Sequence, residues 1–205
     1  MNIVEQSHTI LTFLAYGDVY RAIECAGRTA YKSEDKITNS SAVTFIRHIM
    51  TLRHESVLEH VNISVRFVTD RGVTHELVRH RLCAYTQEST RYCNYYKKGM
   101  QVIKPVFWKD SEDNYAYWSN AMLYAETMYN ELIKNGAKPE QARSVLPNSL
   151  KTEIICTTNI CEWRHILKLR TSQTAHPQMR ALMIPLLREL QEMLPALFSD
   201  IEVKE

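Results

Sequence analysis

A chain of 205 residues with 45% hydrophobic and 23% charged residues has the composition of one globular domain, long enough to bury about 70% of the surface it would expose unfolded. This excludes disordered and fibrous classes, and a net charge of 25 minus 23, or +2, is too small for a general binder of polyanions. The five glycines, at 17, 27, 72, 99 and 136, form neither G-x-G nor G-x-x-x-x-G-K, so the glycine-rich dinucleotide fingerprint and the phosphate-binding loop are also excluded.

No internal repeat or linker interrupts the chain, and residues 1–205 read as a single domain. Asp18 is placed to cap a first helix with Val19, Ala22, Ile23 and Ala26 on one face, and Ser40 or Ser41 a second with Val43, Ile46, Ile49 and Met50 inward. Val61, Ile63, Val65 and Phe67 alternate with polar residues, which predicts a half-buried strand. Gly72 leads into a short helix through Leu77, and residues 82–98, polar and aromatic without a period, read as an ordered loop with helical turns. A strand is expected near Gln101–Trp108, at a sheet edge because it carries Pro105.

Residues 112–135 carry the best helical stripe, Trp118, Ala121, Met122, Ala125, Tyr129 and Leu132, with Gly136 as its stop and Pro139 opening the next helix. The tyrosines at 115, 117, 124 and 129 suit helix packing better than a stacking platform. Thr152–Thr158 reads as a strand, Asn159 as the cap of a helix holding Trp163, Ile166 and Leu167, and Pro177 as the start of a last helix kinked at Pro185. Without regular βαβ alternation, the order predicts an α+β fold, helix-rich, around a mostly antiparallel sheet.

Two cationic segments lie far apart: seven Lys/Arg against one acid in 77–109, and five against none in 163–188. The first holds Arg79-His80-Arg81 and, after seven residues, Ser89-Thr90-Arg91-Tyr92. Guanidinium forks, an imidazole, hydroxyls and turn amides concentrated where a helix gives way to a loop are what a phosphate ester requires. Ser89 reads as a hydrogen-bonding group, because no sequence argument puts a base beside it as a nucleophile needs. His54 and His60, six apart in H-E-x-x-x-E-H, match no zinc pattern and would not share a helix face, so no metal site is expected. Five cysteines, an odd count without C-x-x-C, argue for reduced thiols. The longest uncharged runs, 6–17 and 114–125, are too short to span a membrane, and no signal pattern opens the chain. A cytoplasmic protein with no membrane or nucleic-acid partner is the expectation.

The string R-H-R, seven residues, then Ser89 with Arg91-Tyr92, inside Gln87-Glu88-Ser89-Thr90-Arg91-Tyr92, resembles the signature of the flavin-dependent thymidylate synthases. Further segments fall in that family's order: Arg28 with Tyr31-Lys32-Ser33, His54 to His60, Arg143 before Leu146-Pro147, Asn159, Glu162 to Ser172, and His176 to Arg180. The resemblance covers about residues 20 to 190. It implies a homotetramer with shared sites that makes dTMP from dUMP, with FAD as cofactor, methylenetetrahydrofolate as carbon donor and NADPH as electron source.

By position, the resemblance implies FAD contacts at Ser56, Arg79, His80, Arg81, Gln87, Asn159 and His165. It implies dUMP contacts at Glu76, Arg79, Gln87, Glu88, Ser89, Thr90, Arg91, Arg143 and Arg170, with Arg170 catalytic. The chain departs from the pattern at Ala84, where Ser is frequent, at Thr90, where some members have glycine, and at Ile160-Cys161, where the usual pair is Ala-Arg. The last departure implies either weaker flavin binding or replacement of the missing cation by Arg164. Two alternatives compete with the enzyme: a catalytically silent flavin or nucleotide binder of the same fold, and an RNA-binding module using both basic segments. The second has little support, since the net charge is small and no known RNA motif is present.

Overall fold

The computed structural model describes residues 1–12 and 16–203. In chain order these form β1 (Asn2–Val4), β2 (Ser7–Ile10), α1 (Tyr16–Tyr31), α2 (Ser41–Leu52), β3 (Asn62–Asp70), α3 (Arg71–Leu77), β4 (Ala84–Gln87), α4 (Tyr95–Lys98) and β5 (Gln101–Ile103). There follow α5 (Asp113–Lys134), α6 (Pro139–Ala142), β6 (Lys151–Asn159), α7 (Ile160–Arg170), α8 (Pro177–Met193) and α9 (Pro195–Phe198). Short 3-10 turns occupy Glu34–Lys36, Glu55–His60 and Arg143–Val145. The fold is α+β, as the element order predicts: a mostly antiparallel sheet in the order β2-β3-β6-β4, and a small parallel pair of β1 with β5. None of the helices described is long and apolar enough to cross a membrane.

Contacts divide the chain into two compact units that interleave in sequence. The first comprises Met1–His8, Arg66–His80 and Tyr85–Ile155. Its core gathers Tyr95, Met100, Val102, Trp118, Met122, Tyr129, Ala142 and Leu150. The Trp118 indole N–H donates to Ser149 Oγ at 3.0 Å, and Tyr95 meets Tyr129 edge-to-face at 5.8 Å. Helix α5 follows its stripe at Trp118, Met122 and Tyr129, although Ala121 is exposed, and Gly136 ends it at a φ of +89° that favours glycine. Of the four tyrosines, Tyr129 and Tyr115 pack on this core, whereas Tyr117 and Tyr124 are exposed.

The second unit comprises Thr9–Val65, Arg81–Ala84 and Cys156–Glu205. Here α1 packs on α2, and α7 on α8. The inner stripe of α1 is Val19, Tyr20, Ile23, Glu24 and Gly27, and the expected Ala22 is exposed. Gly27 leaves room for Phe45, because a Cβ there would lie 2.7 Å from Phe45 Cε1 and the ring would have to shift. Glu24 is fully buried yet satisfied: its carboxylate accepts from Arg28 Nη2 at 3.0 Å and Ser41 Oγ at 2.9 Å.

Several expectations of extent are corrected. The stretch 82–98 contains strand β4 and helix α4; Ala84-Tyr85-Thr86-Gln87 has no apolar alternation to announce a strand, and its pairing with β6 supplies one. β5 stops at Ile103, two residues before Pro105. The brief strands β1 and β2 and the helix α9 carry too few residues to announce themselves by period.

Candidate active site

In the first unit, Asp70 Oδ1 accepts from Val73 N at 2.6 Å and so caps α3. The helix unwinds through Val78 N to Thr74 O, Arg79 N to Glu76 O and His80 N to Leu77 O. The Tyr85 hydroxyl then locks this end, donating to Leu77 O at 2.7 Å and lying 3.0 Å from His80 O. His80 is thereby buried, while Arg79 is exposed and Glu76 half-buried. A buried imidazole thus stands next to an exposed guanidinium in the chain.

Gln87 is turned into its unit, its amide donating to Thr74 Oγ1 at 2.9 Å and lying 3.3 Å from Thr152 Oγ1. Beyond it the chain makes a turn in which Ser89 O accepts from Tyr92 N at 3.2 Å and Cys93 N at 2.9 Å. Ser89 Oγ accepts from Arg91 N at 3.3 Å, and among the described residues no imidazole or carboxylate contacts it, so the arrangement of a nucleophilic serine is lacking. Thr90 is buried and accepts from Arg143 Nη1 at 3.5 Å. Arg91 and Arg143 are exposed, with the Arg91 guanidinium 5.4 Å from the ring of Tyr92. The fold thus brings Arg143 from 53 residues away to the turn of Ser89, Thr90 and Arg91.

Glu88 behaves differently from its neighbours. Its amide donates to Glu153 O at 2.8 Å, and its two carboxylate oxygens accept from the Tyr95 hydroxyl at 2.8 Å and Lys151 Nζ at 3.3 Å. Lys151 also donates to Glu153 Oε1 at 2.7 Å, and Arg66 Nη1 stands 3.8 Å from Glu153 Oε2. Lys151, Tyr95, Thr74 and Thr152 carry no expectation on sequence grounds, because only the fold brings them to Glu88 and Gln87. A cavity of about 400 Å³ is lined by Arg66, Thr86, Gln87, Glu88, Glu153 and Ile155.

In the second unit, Asn159 caps α7 as expected, its Oδ1 accepting from Glu162 N at 2.8 Å. Ile160 N donates to Val61 O at 3.0 Å and the Trp163 indole to Ile63 O at 2.9 Å, which tie the helix to the start of β3. His165 is exposed and Arg170, at the last turn, half-buried. Ser56 and Arg81 are exposed, and the Leu82 carbonyl accepts from the Thr158 hydroxyl at 2.7 Å.

Arg164, the expected replacement for the cation missing at Cys161, is engaged within the protein. Only 3% exposed, it pairs with Asp200 through two bonds of 2.7 and 2.6 Å and donates to Leu197 O. The Arg164 bond holds the Asp200 carboxyl below the ordinary range. Cys161 Sγ lies 4.0 Å from Glu55 Oε2, and burial, then the charges of Glu55 and Glu59, push its thiol up. A larger cavity, about 850 Å³, opens in this unit among Arg47, Arg53, Glu55, Arg164, Lys168 and Asp200, but none of the expected site residues lines it. The smaller cavity is the one of the two that expected site residues, Gln87 and Glu88, line.

The family model described as thymidylate synthase complementing protein matches residues 12–196. A flavin-dependent thymidylate synthase of Mycobacterium tuberculosis (strain ATCC 25618 / H37Rv) is 36% identical over 200 residues, covering 88% of this chain and 79% of the relative. That of Geobacter sulfurreducens is 33% identical over 190 residues, covering 89% and 82%. A crystal structure of a UMP/dUMP methylase, PolB from Streptomyces cacaoi, bound with 5-Br dUMP, has a TM-score of 0.81 at 23% identity over 97% of this chain and 96% of that one, a likeness of fold.

Proposed function

Because the chain belongs to the family of flavin-dependent thymidylate synthases, we propose that it is the methyltransferase that converts dUMP to dTMP. Methylenetetrahydrofolate is the carbon donor, and FAD reduced by NADPH is the hydride source. The observation that carries this reading is the turn Ser89–Arg91 with Arg143 drawn onto Thr90: an exposed guanidinium and a hydroxyl on one ordered turn, with a second exposed guanidinium brought to it. Forked donors of this kind match the oxygens of a phosphate monoester.

The donor set also suits a flavin dinucleotide. Within the second unit, the exposed guanidinium of Arg81 and the hydroxyl of Ser56 offer charge and hydrogen bonds to a diphosphate, and Asn159 and His165 are further polar positions for it. A bound flavin would supply hydride transfer, a chemistry that amino-acid side chains lack. Arg170 holds a fixed positive charge against the pyrimidine, where it stabilises negative charge spread into the ring and makes the carbon to be alkylated more nucleophilic. Gln87 orients the segment from within, through Thr74 and Thr152. We further propose that the 205 residues act as one synthase domain in a cytoplasmic homotetramer with shared sites. The support is apolar surface at the signature itself, Leu82 being 74% and Tyr92 78% exposed, which a second copy would cover.

The decisive experiment is the absorption spectrum of the purified protein, followed by product analysis. A flavin band that NADPH bleaches, together with dTMP formed from dUMP only when methylenetetrahydrofolate is present, is the expected result. A protein that neither carries nor takes up FAD would overturn the reading.

The thiols are expected to be dispensable. A thiolate nucleophile needs a lowered pKa, whereas Cys161 is pushed the other way and Cys156 is buried. Replacing all five cysteines with Ser or Ala should leave dTMP formation within about tenfold, any loss coming from packing. Single-turnover kinetics of the folded, flavin-loaded variant check this; a loss beyond ~10³-fold that one restored cysteine rescues would reveal a covalent thiolate route.

A further inference from the structure

Glu88 is an anion set between Gln87 and Ser89, in a segment that, on the reading above, receives a doubly charged phosphate. A free carboxylate there would repel the ligand. The structure shows how this one is disposed of: both oxygens are taken, one by Tyr95 and one by Lys151, and the amide is bonded to Glu153. The Glu88–Tyr95 bond closes the chain from 88 to 95 on itself, so the turn of Ser89–Tyr92 is held at both ends. Downstream, Tyr95 is anchored by Tyr129, its amide standing 3.4 Å from the Tyr129 hydroxyl.

We propose that Lys151 and Tyr95 are positioning residues for the nucleotide, acting through Glu88: they cancel and turn away its charge and fix the turn that carries Ser89 and Arg91. The proposal rests on the dUMP reading of that turn. Lys151 and Glu88 have side chains only 15% and 20% exposed, so the pair is substantially removed from water. Burial of such a pair is rarely a net gain in stability over apolar packing, which makes a role in binding the better account of it. Burial lowers the Lys151 pKa, but the carboxylates of Glu153 and Glu88 outweigh it and keep the ammonium charged. The Tyr95 phenol is pushed up by burial and by Glu88, and so remains a donor.

The test is titration of the flavin-loaded protein with dUMP, paired with hydrogen exchange at the amides of Tyr92 and Cys93. Lys151→Met unmasks the Glu88 charge, and the dUMP Kd is expected to rise about tenfold while flavin content holds and both amides exchange faster. Lys151→Arg should retain affinity. The double variant Glu88→Gln/Lys151→Met should return Kd to within about threefold of the parent, because the Glu88 charge is gone and the other carboxylate that Lys151 meets, Glu153, still faces Arg66. Should Lys151→Met fail to fold, Tyr95→Phe removes only the hydroxyl, keeps the ring on Tyr129, and is expected to speed the same exchange.

Unchanged affinity and exchange in the folded variants would overturn the proposal, as would a double variant whose losses simply add. If the parent protein bound no dUMP, the substrate reading would fall and the proposed nucleotide role with it. The exchange data would still decide whether the clamp holds the turn.

Discussion

Arg170→Ala is expected to lower the turnover number by ~10²–10³-fold while flavin content stays near that of the parent, since its proposed partner is charge that develops on the nucleotide during reaction. The side chain leaves the last turn of a helix tied at its other end by Asn159, Ile160 and Trp163, so its base is rigid. Donors on such a base are already oriented when charge appears, and that is the condition under which electrostatic stabilisation is largest. Arg143, a ground-state phosphate contact on this reading, would act on the Michaelis constant instead. Steady-state kinetics with the bound flavin quantified separate the two, and a change confined to the Michaelis constant at Arg170 would contradict its assigned role.

The largest effect on stability is expected at Trp163. It is fully buried, one of the bulkiest side chains of the core, and its indole bonds Ile63 O. Trp163→Ala combines lost burial, a cavity and an unpaired carbonyl, for a destabilisation of about 3–5 kcal/mol. Urea unfolding should show a lower midpoint at an unchanged slope. Trp163→Phe, which keeps one aromatic ring but loses the indole donor and part of the buried volume, should cost about 1–3 kcal/mol. A cost below about 1 kcal/mol for Trp163→Ala would mean that the core collapses around the site and that α7 does not depend on this anchor.

What was legible in the residues alone was whatever depends on near neighbours in the chain. The alternation of Val61–Phe67, the β-branched run into Asn159, the stripe of α5 and the stop at Gly136 each concern residues a few positions apart, where backbone geometry repeats with a period of 2 or 3.6. The cap at Asn159 and the start at Pro177 were legible for the same reason, and the string from Arg79 to Tyr92 sufficed to point to the family. Tertiary structure decided everything that requires a partner distant in sequence. Strand β4 exists because β6 pairs with it, not because Ala84–Gln87 favours a strand. Gln87 faces Thr74 and Thr152, and Arg164 is consumed by Asp200, 36 positions on. Glu88, expected among the ligand contacts, has its carboxylate closed by Tyr95 and by Lys151, 63 positions away. A polar side chain carries several donors or acceptors and no periodic signal, so its direction follows from whichever distant group the fold brings within about 3 Å.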